Sequence, residues 1–177
     1  MPIISDNAKV DLDIVTIQQE TWFRITHYDS LRPFLMSIVS DSNHWMFISS
    51  NGGLTAGRKN PDFALFPYYT DDKINDTSET TGCKSIFQIH EDSTITVWEP
   101  FSNKNQGIFT LSRNIYKSVY GNKIIFEEIN HDLGLVFRYE WNSSEKFGFV
   151  RKAGLTNNSA KDYRITLLDG IQNILPS

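Results

Sequence analysis

The sequence predicts an all-β protein of antiparallel strands, on three observations. Short runs alternating apolar and polar residues recur at roughly ten-residue spacing through the second half of the chain, the pattern of a sandwich or barrel. Aromatic residues make up 13% of the chain and crowd into these runs, where they pack well on a pleated surface. Turn-forming clusters separate the runs, with no long helical pattern, internal repeat or low-complexity linker among them. Alternation alone leaves open whether the sheets stack or close.

Residues 1–20 read as an N-terminal extension or edge strand, because Leu12, Ile14, Val15 and Ile17 fit neither period cleanly although β-branching favours a strand. A single domain then spans residues 21–177. Residues 22–27 put Phe23 and Ile25 on one face and Trp22, Arg24 and Thr26 on the other, and Tyr28-Asp29-Ser30 turns the chain. Residues 31–39 carry both helical and strand spacing; with Pro33 near the start, strand is preferred. Ser40-Asp41-Ser42-Asn43 is a turn, and residues 44–48 form a strand. Residues 75–82 are a polar loop, and strands at 84–90 and 93–99 flank a Glu91-Asp92 turn. Further strands are expected at 107–113, 115–120, 123–129, 133–141, 147–152 and 163–168. Gly121-Asn122 suits a two-residue primed turn between two of them. Leu133, Leu135, Phe137, Tyr139 and Trp141 share one face, with Arg138 and Glu140 opposite, so this strand is half-buried. In Ile124-Ile125-Phe126 both faces are apolar, which marks a central strand.

The chain of 177 residues is long enough to bury a core. Its formal charge of −4 and lack of a basic cluster argue against a nucleic-acid partner. No apolar run approaches membrane-spanning length. Met1-Pro2-Ile3-Ile4-Ser5-Asp6 lacks a basic region followed by an apolar core, which points to the cytoplasm. Cys83 is the only cysteine, so no internal disulfide forms, and no nucleophile motif surrounds it.

No Walker loop, paired-cysteine or His-Glu-x-x-His metal spacing, or Gly-x-Ser-x-Gly elbow occurs, so no catalytic residue, metal or cofactor is assigned. His27, His44, His90 and His131 are scattered. The densest special chemistry lies in residues 49–73. There Gly52, Gly53 and Gly57 read as turn and tight-packing glycines rather than a phosphate cradle. Asn51, Arg58, Tyr68, Tyr69, Asp71, Asp72 and Lys73 are candidate ligand or interface residues, joined by Trp98 and Glu99, which repeat the theme of aromatic beside acid. Aromatic faces with planar polar groups suit a sugar, whereas turn and core roles are the plainer explanation of the same residues.

Ser50-Asn51-Gly52-Gly53, then Arg58 and Pro61, an aromatic run and Trp98-x-Pro100 resemble the N-terminal domain of cellobiose phosphorylase-like glycoside phosphorylases, as does Leu167-Leu168-Asp169-Gly170-Ile171-x-Asn173-Ile174-Leu175-Pro176 towards the end. The resemblance implies a large antiparallel β-sandwich, the galactose mutarotase-like supersandwich. It further implies the N-terminal part of a longer chain, in which the general acid and phosphate site belong to a downstream helical barrel. The partners it implies are that barrel, a homodimer and a saccharide. The expected function is therefore a non-catalytic accessory domain of a carbohydrate-active enzyme. The alternatives are a free-standing sugar-binding module and a small epimerase- or lyase-like enzyme.

Overall fold

The computed structural model describes residues 9–91 and 93–175. The expected Glu91-Asp92 turn and the readings of the first six and last two residues touch positions outside these. The strands are β1 Asp11–Ile17, β2 Glu20–Thr26, β3 Leu35–Ile38, β4 His44–Ser49, β5 Leu54–Arg58, β6 Gly82–Glu91, β7 Thr94–Trp98, β8 Leu111–Ser118, β9 Lys123–Asn130, β10 Leu135–Ser144, β11 Gly148–Asn157 and β12 Arg164–Gln172, with one short helix, α1 Asp71–Asp76. All strand pairs are antiparallel.

The protein is an all-β sandwich. One layer is a six-stranded sheet in the order β1-β2-β8-β9-β10-β11; opposite it lie two three-stranded sheets, β12-β6-β7 and β3-β4-β5. The core between them draws Met46, Ile48 and Ala56 from one small sheet, Phe87, Ile89 and Trp98 from the other, and Ile115, Ile124, Phe126, Leu135, Phe137, Tyr139 and Trp141 from the large one. β10 alternates as its sequence predicts, and β9 is central, with Ile124 and Phe126 in the core and Ile125 buried on the opposite face. No helix of the described residues is long and apolar enough to cross a membrane.

Two polar ties join the layers. Glu128 of β9, fully buried, accepts from Trp98 Nε1 (2.8 Å), Phe101 N (2.7 Å) and Arg113 Nε (2.7 Å). Arg113 also donates to the Ser102 carbonyl at 3.2 Å. Nearer β11, Arg151 grips Asp169 of β12 with two hydrogen bonds of 2.7 Å.

Several expectations are corrected. Only Leu35–Ile38 of residues 31–39 is strand. Residues 107–109 do not pair: Gly107 has φ 76° in a turn, Ile108 is exposed, and one strand, β8, replaces the two expected there. The β8–β9 link runs over residues 119–122, longer than the two residues expected: the β8–β9 ladder ends at Lys117 and Ile124, and Gly121 N turns back to Ser118 O at 2.8 Å. Asp71 and Asp72 open a helix instead of a turn: they supply acid to its first turn, which favours the N-terminal end of the helix dipole, and Ile74 anchors it in the interior. Residues 11–17 form the edge strand of the large sheet, with Leu12 and Ile14 on its core-facing side. They stay 66% exposed because the second layer does not reach over β1.

The Glu128 tie predicts that Glu128→Ala, which leaves the Arg113 charge and two donors buried without their acceptor, costs about 3 to 5 kcal/mol. Urea unfolding measures it; a loss below about 1 kcal/mol would place the tie among ordinary surface ion pairs.

Candidate functional site

The residues singled out from sequence do not converge. Asn51 is spent on tying its loop to α1: its Nδ2 donates to Asn75 O at 2.7 Å and its Oδ1 accepts from Gly53 N at 3.3 Å. The glycines beside it are backbone devices. A Cβ on Gly53 would lie 2.1 Å from Ile74 O, and one on Gly57 would lie 2.7 Å from Phe63 O. Arg58 is exposed at the end of β5, and Tyr68 sets its ring edge-on to Trp45 at 5.7 Å. Tyr69 is half-buried. Asp71, Asp72 and Lys73 form the exposed first turn of α1, where the Thr70 hydroxyl bond holds the Asp72 carboxyl below its usual range.

Trp98 is corrected outright as a stacking surface. It is fully buried, stacked on Phe87 at 5.3 Å, and has no face for a sugar. Glu99 is ion-paired with Lys84 and, at 3.7 Å, with Lys104. Asn51 lines a cavity of about 20 Å³ with Glu79, Lys84 and Ser102, room for about one water.

The histidines stay apart: His44 bonds Ser42, His90 bonds Thr166 and His131 bonds Ser112. No group of three His, Cys, Asp or Glu among the described residues is placed to hold a metal. Burial pushes the Cys83 thiol up to about 11, against the partial relief of the neighbouring Arg151 guanidinium. A protonated thiol is a poor nucleophile.

The unusual surface lies elsewhere, on the outer face of the six-stranded sheet. In an ordinary sandwich such a face is solvated. Here Trp22 is 2% exposed and Glu127 is 2% exposed, although both point away from the core. Trp22 packs with Tyr116 and Ile125, and with Val15 and Ile17 of β1, in a small cluster of its own.

The burial comes from curvature. Six flat strands at about 4.8 Å spacing would hold β1 and β11 about 24 Å apart. One cavity of about 470 Å³ nevertheless touches Ile17 and Gln18 at one edge and Lys152, Gly154 and Thr156 at the other. The sheet therefore curls into a trough, which continues into a second cavity of about 330 Å³ lined by Arg24, Asn114, Tyr116, Glu127 and Asn158. Bulky aromatics fill the core side of β10, and Gly154 on β11 leaves the trough open: a Cβ there would meet nothing within 4 Å.

A preorganised polar cluster stands in the trough. Glu127 accepts from Asn114 Nδ2 at 2.7 Å and from Tyr116 OH at 2.8 Å, and it holds the Arg138 guanidinium through a hydrogen bond and an ion pair. Arg138 lies 5.8 Å over the Tyr116 ring and is half exposed, so part of its donor fork faces the groove. Burial, with the bond to Glu127, pushes the Tyr116 hydroxyl up to about 12, so it stays a donor at neutral pH. Two further cations are ion-paired, Arg24 with Asp13 at 2.5 Å and Lys123 with Glu20 at 2.6 Å, while Lys152 is exposed and stands in register with Glu140 on the β10–β11 ladder. The Arg24 hydrogen bond holds the Asp13 carboxyl below the usual range. The buried Trp22 Nε1 lacks a hydrogen-bond partner among the described residues, a condition shared by the indoles of Trp45 and Trp141.

No protein-family model matches the chain, and no curated protein matches it. The site therefore stands on its geometry. One signal for it was in the sequence: consecutive acids, Glu127-Glu128, inside an apolar central strand send one carboxylate to each face, and both need buried partners.

The Cys83 environment predicts that the folded protein resists Ellman's reagent at pH 7.5 and reacts fully in urea. Labelling of the native state at the rate of a free thiol would show an accessible thiolate instead.

Proposed function

We propose that the chain is a non-catalytic, carbohydrate-associated β-sandwich domain that holds a saccharide in the trough of its six-stranded sheet. The observation that carries this reading is the cluster of buried Glu127 and Tyr116 with half-exposed Arg138 on an outward face. Sugar recognition needs planar donors and acceptors held still before the ligand arrives, because ordering them on binding costs affinity. Glu127 performs that task for Arg138, and Trp22, packed with Tyr116 and Ile125, forms an apolar layer beneath it. Arg24, Lys123 and Arg138 are each ion-paired to an acid, so the surface suits a neutral polyhydroxyl ligand better than a phosphate or nucleic acid. The size agrees with small-molecule sites of about 300–1,000 Å³. The likeness of the sequence to N-terminal domains of glycoside phosphorylases supports the carbohydrate assignment. In such an enzyme the domain presents saccharide to a separate catalytic domain.

The test is a glycan array followed by calorimetric titration of the sugars that bind. Gly154→Tyr fills the trough without touching the core, since Gly154 is exposed and its φ is outside the left-handed region. It is expected to weaken binding at least tenfold, about 1.4 kcal/mol, with an unchanged urea midpoint. Tyr68→Ala, in the stretch that sequence favoured, is expected to leave affinity unchanged. Array signal no higher than that of unfolded protein, or equal affinity of Gly154→Tyr, overturns the reading.

A further inference from the structure

The trough has a shape that narrows its ligand, an inference that rests on the saccharide reading of the same site. Its two cavities are neighbours along the strand direction. The larger is bounded on β10 by Arg138, Glu140 and Asn142, the smaller by Val136 and Arg138, and both share Arg138 and Thr156. On β9 the same order holds, with Lys123 and Ile125 at one end and Glu127 and Ile129 at the other. From Val136 to Asn142 the strand advances about 20 Å at about 3.4 Å per residue. The groove is therefore long and runs parallel to β10, and its rim residues Gln18, Lys152, Thr156 and Asn158 are exposed.

Polar groups recur along the length. Asn114 and Asn158 line one end, Arg138 stands at the junction, and Asn142 and Lys123 line the other end. The floor between them is apolar, formed by Trp22, Ile125, Ile129 and Val136. A single sugar ring occupies one cavity and leaves the other to water. The geometry points to a linear, neutral oligosaccharide laid along β10, with rings in both cavities and Arg138 hydrogen-bonded near the middle of the chain. Glu127 is the positioning residue: it fixes the guanidinium so that the free edge faces both cavities. An acidic oligosaccharide is a worse fit, because Arg138, Arg24 and Lys123 already carry counter-charges.

The test is a length ladder. Cello-, xylo-, malto- and laminari-oligosaccharides from mono- to hexasaccharide are titrated by calorimetry, with oligogalacturonates as the acidic comparison. Affinity is expected to rise about tenfold from disaccharide to tetrasaccharide, the gain of one or two net hydrogen bonds, and then to level off. Arg138→Lys keeps a cation beside Glu127 but loses the planar fork. It is expected to retain the urea midpoint and to flatten the ladder, losing affinity for the tetrasaccharide more than for the disaccharide. A disaccharide that binds as tightly as the tetrasaccharide overturns the extended-chain inference and leaves the saccharide reading intact. Preference for oligogalacturonates overturns the neutral class. Failure of every sugar with a folded protein removes both.

Discussion

The buried carboxylate of Glu128 is the constraint on which the arrangement depends. It sits in an apolar interior and is matched by three donors from three places: an indole on β7, a backbone N–H beyond it and a guanidinium on β8. An ionised group there is tolerable only with such partners. The partners exist only when β9 lies in one register, because a slip of one residue sends every side chain to the other face. Fixing Glu128 inward thus fixes Glu127 outward, and the same strand that locks the layers together equips the trough. Core and site are coupled through adjacent residues of one strand.

The second link is curvature. Large aromatics on the core side of β9 and β10, with an uncrowded glycine on β11, accompany a six-stranded sheet that brings its edges around one cavity. Right-handed twist gives any sheet a tendency to coil. Here coiling converts an outward face into a sheltered one, where hydrogen bonds and ion pairs are less screened by water. Trp22 and Glu127 are buried for this reason and not because they belong to the core. The exposed Leu12 and Ile14 are the converse: they lie on the core-facing side of β1, past the reach of the second layer.

Much of the fold was legible from alternation. Leu135, Phe137, Tyr139 and Trp141 face the core as their period of two requires, and Ile124-Ile125-Phe126 marks a strand buried on both faces. Residues 107–109 misled because Ile108 and Phe109 look like strand, whereas only Phe109 reaches the core, from a turn. The helix at Asp71–Asp76 is too short for a 3.6 period to register. The trough is not legible in the sequence, for a deeper reason. Its residues come from six strands, and their convergence depends on sheet curl, which no local pattern encodes. The stretch rich in glycine, aromatic and acid carries the stronger local signal, yet its glycines serve close packing against α1 and residues 63–64, and its aromatics pack on neighbours.

The central claim is that saccharide lies on the outer face of the six-stranded sheet, over Trp22. The most direct measurement is the indole N–H spectrum of 15N-tryptophan-labelled protein, whose four signals belong to Trp22, Trp45, Trp98 and Trp141. On adding a neutral tetrasaccharide that binds, the Trp22 signal is predicted to move, while that of Trp98, tied to Glu128 in the core, stays in place. A Trp22 signal that does not move, with Trp45 beside Tyr68 moving instead, would contradict the account and return the ligand to the stretch around residues 49–73.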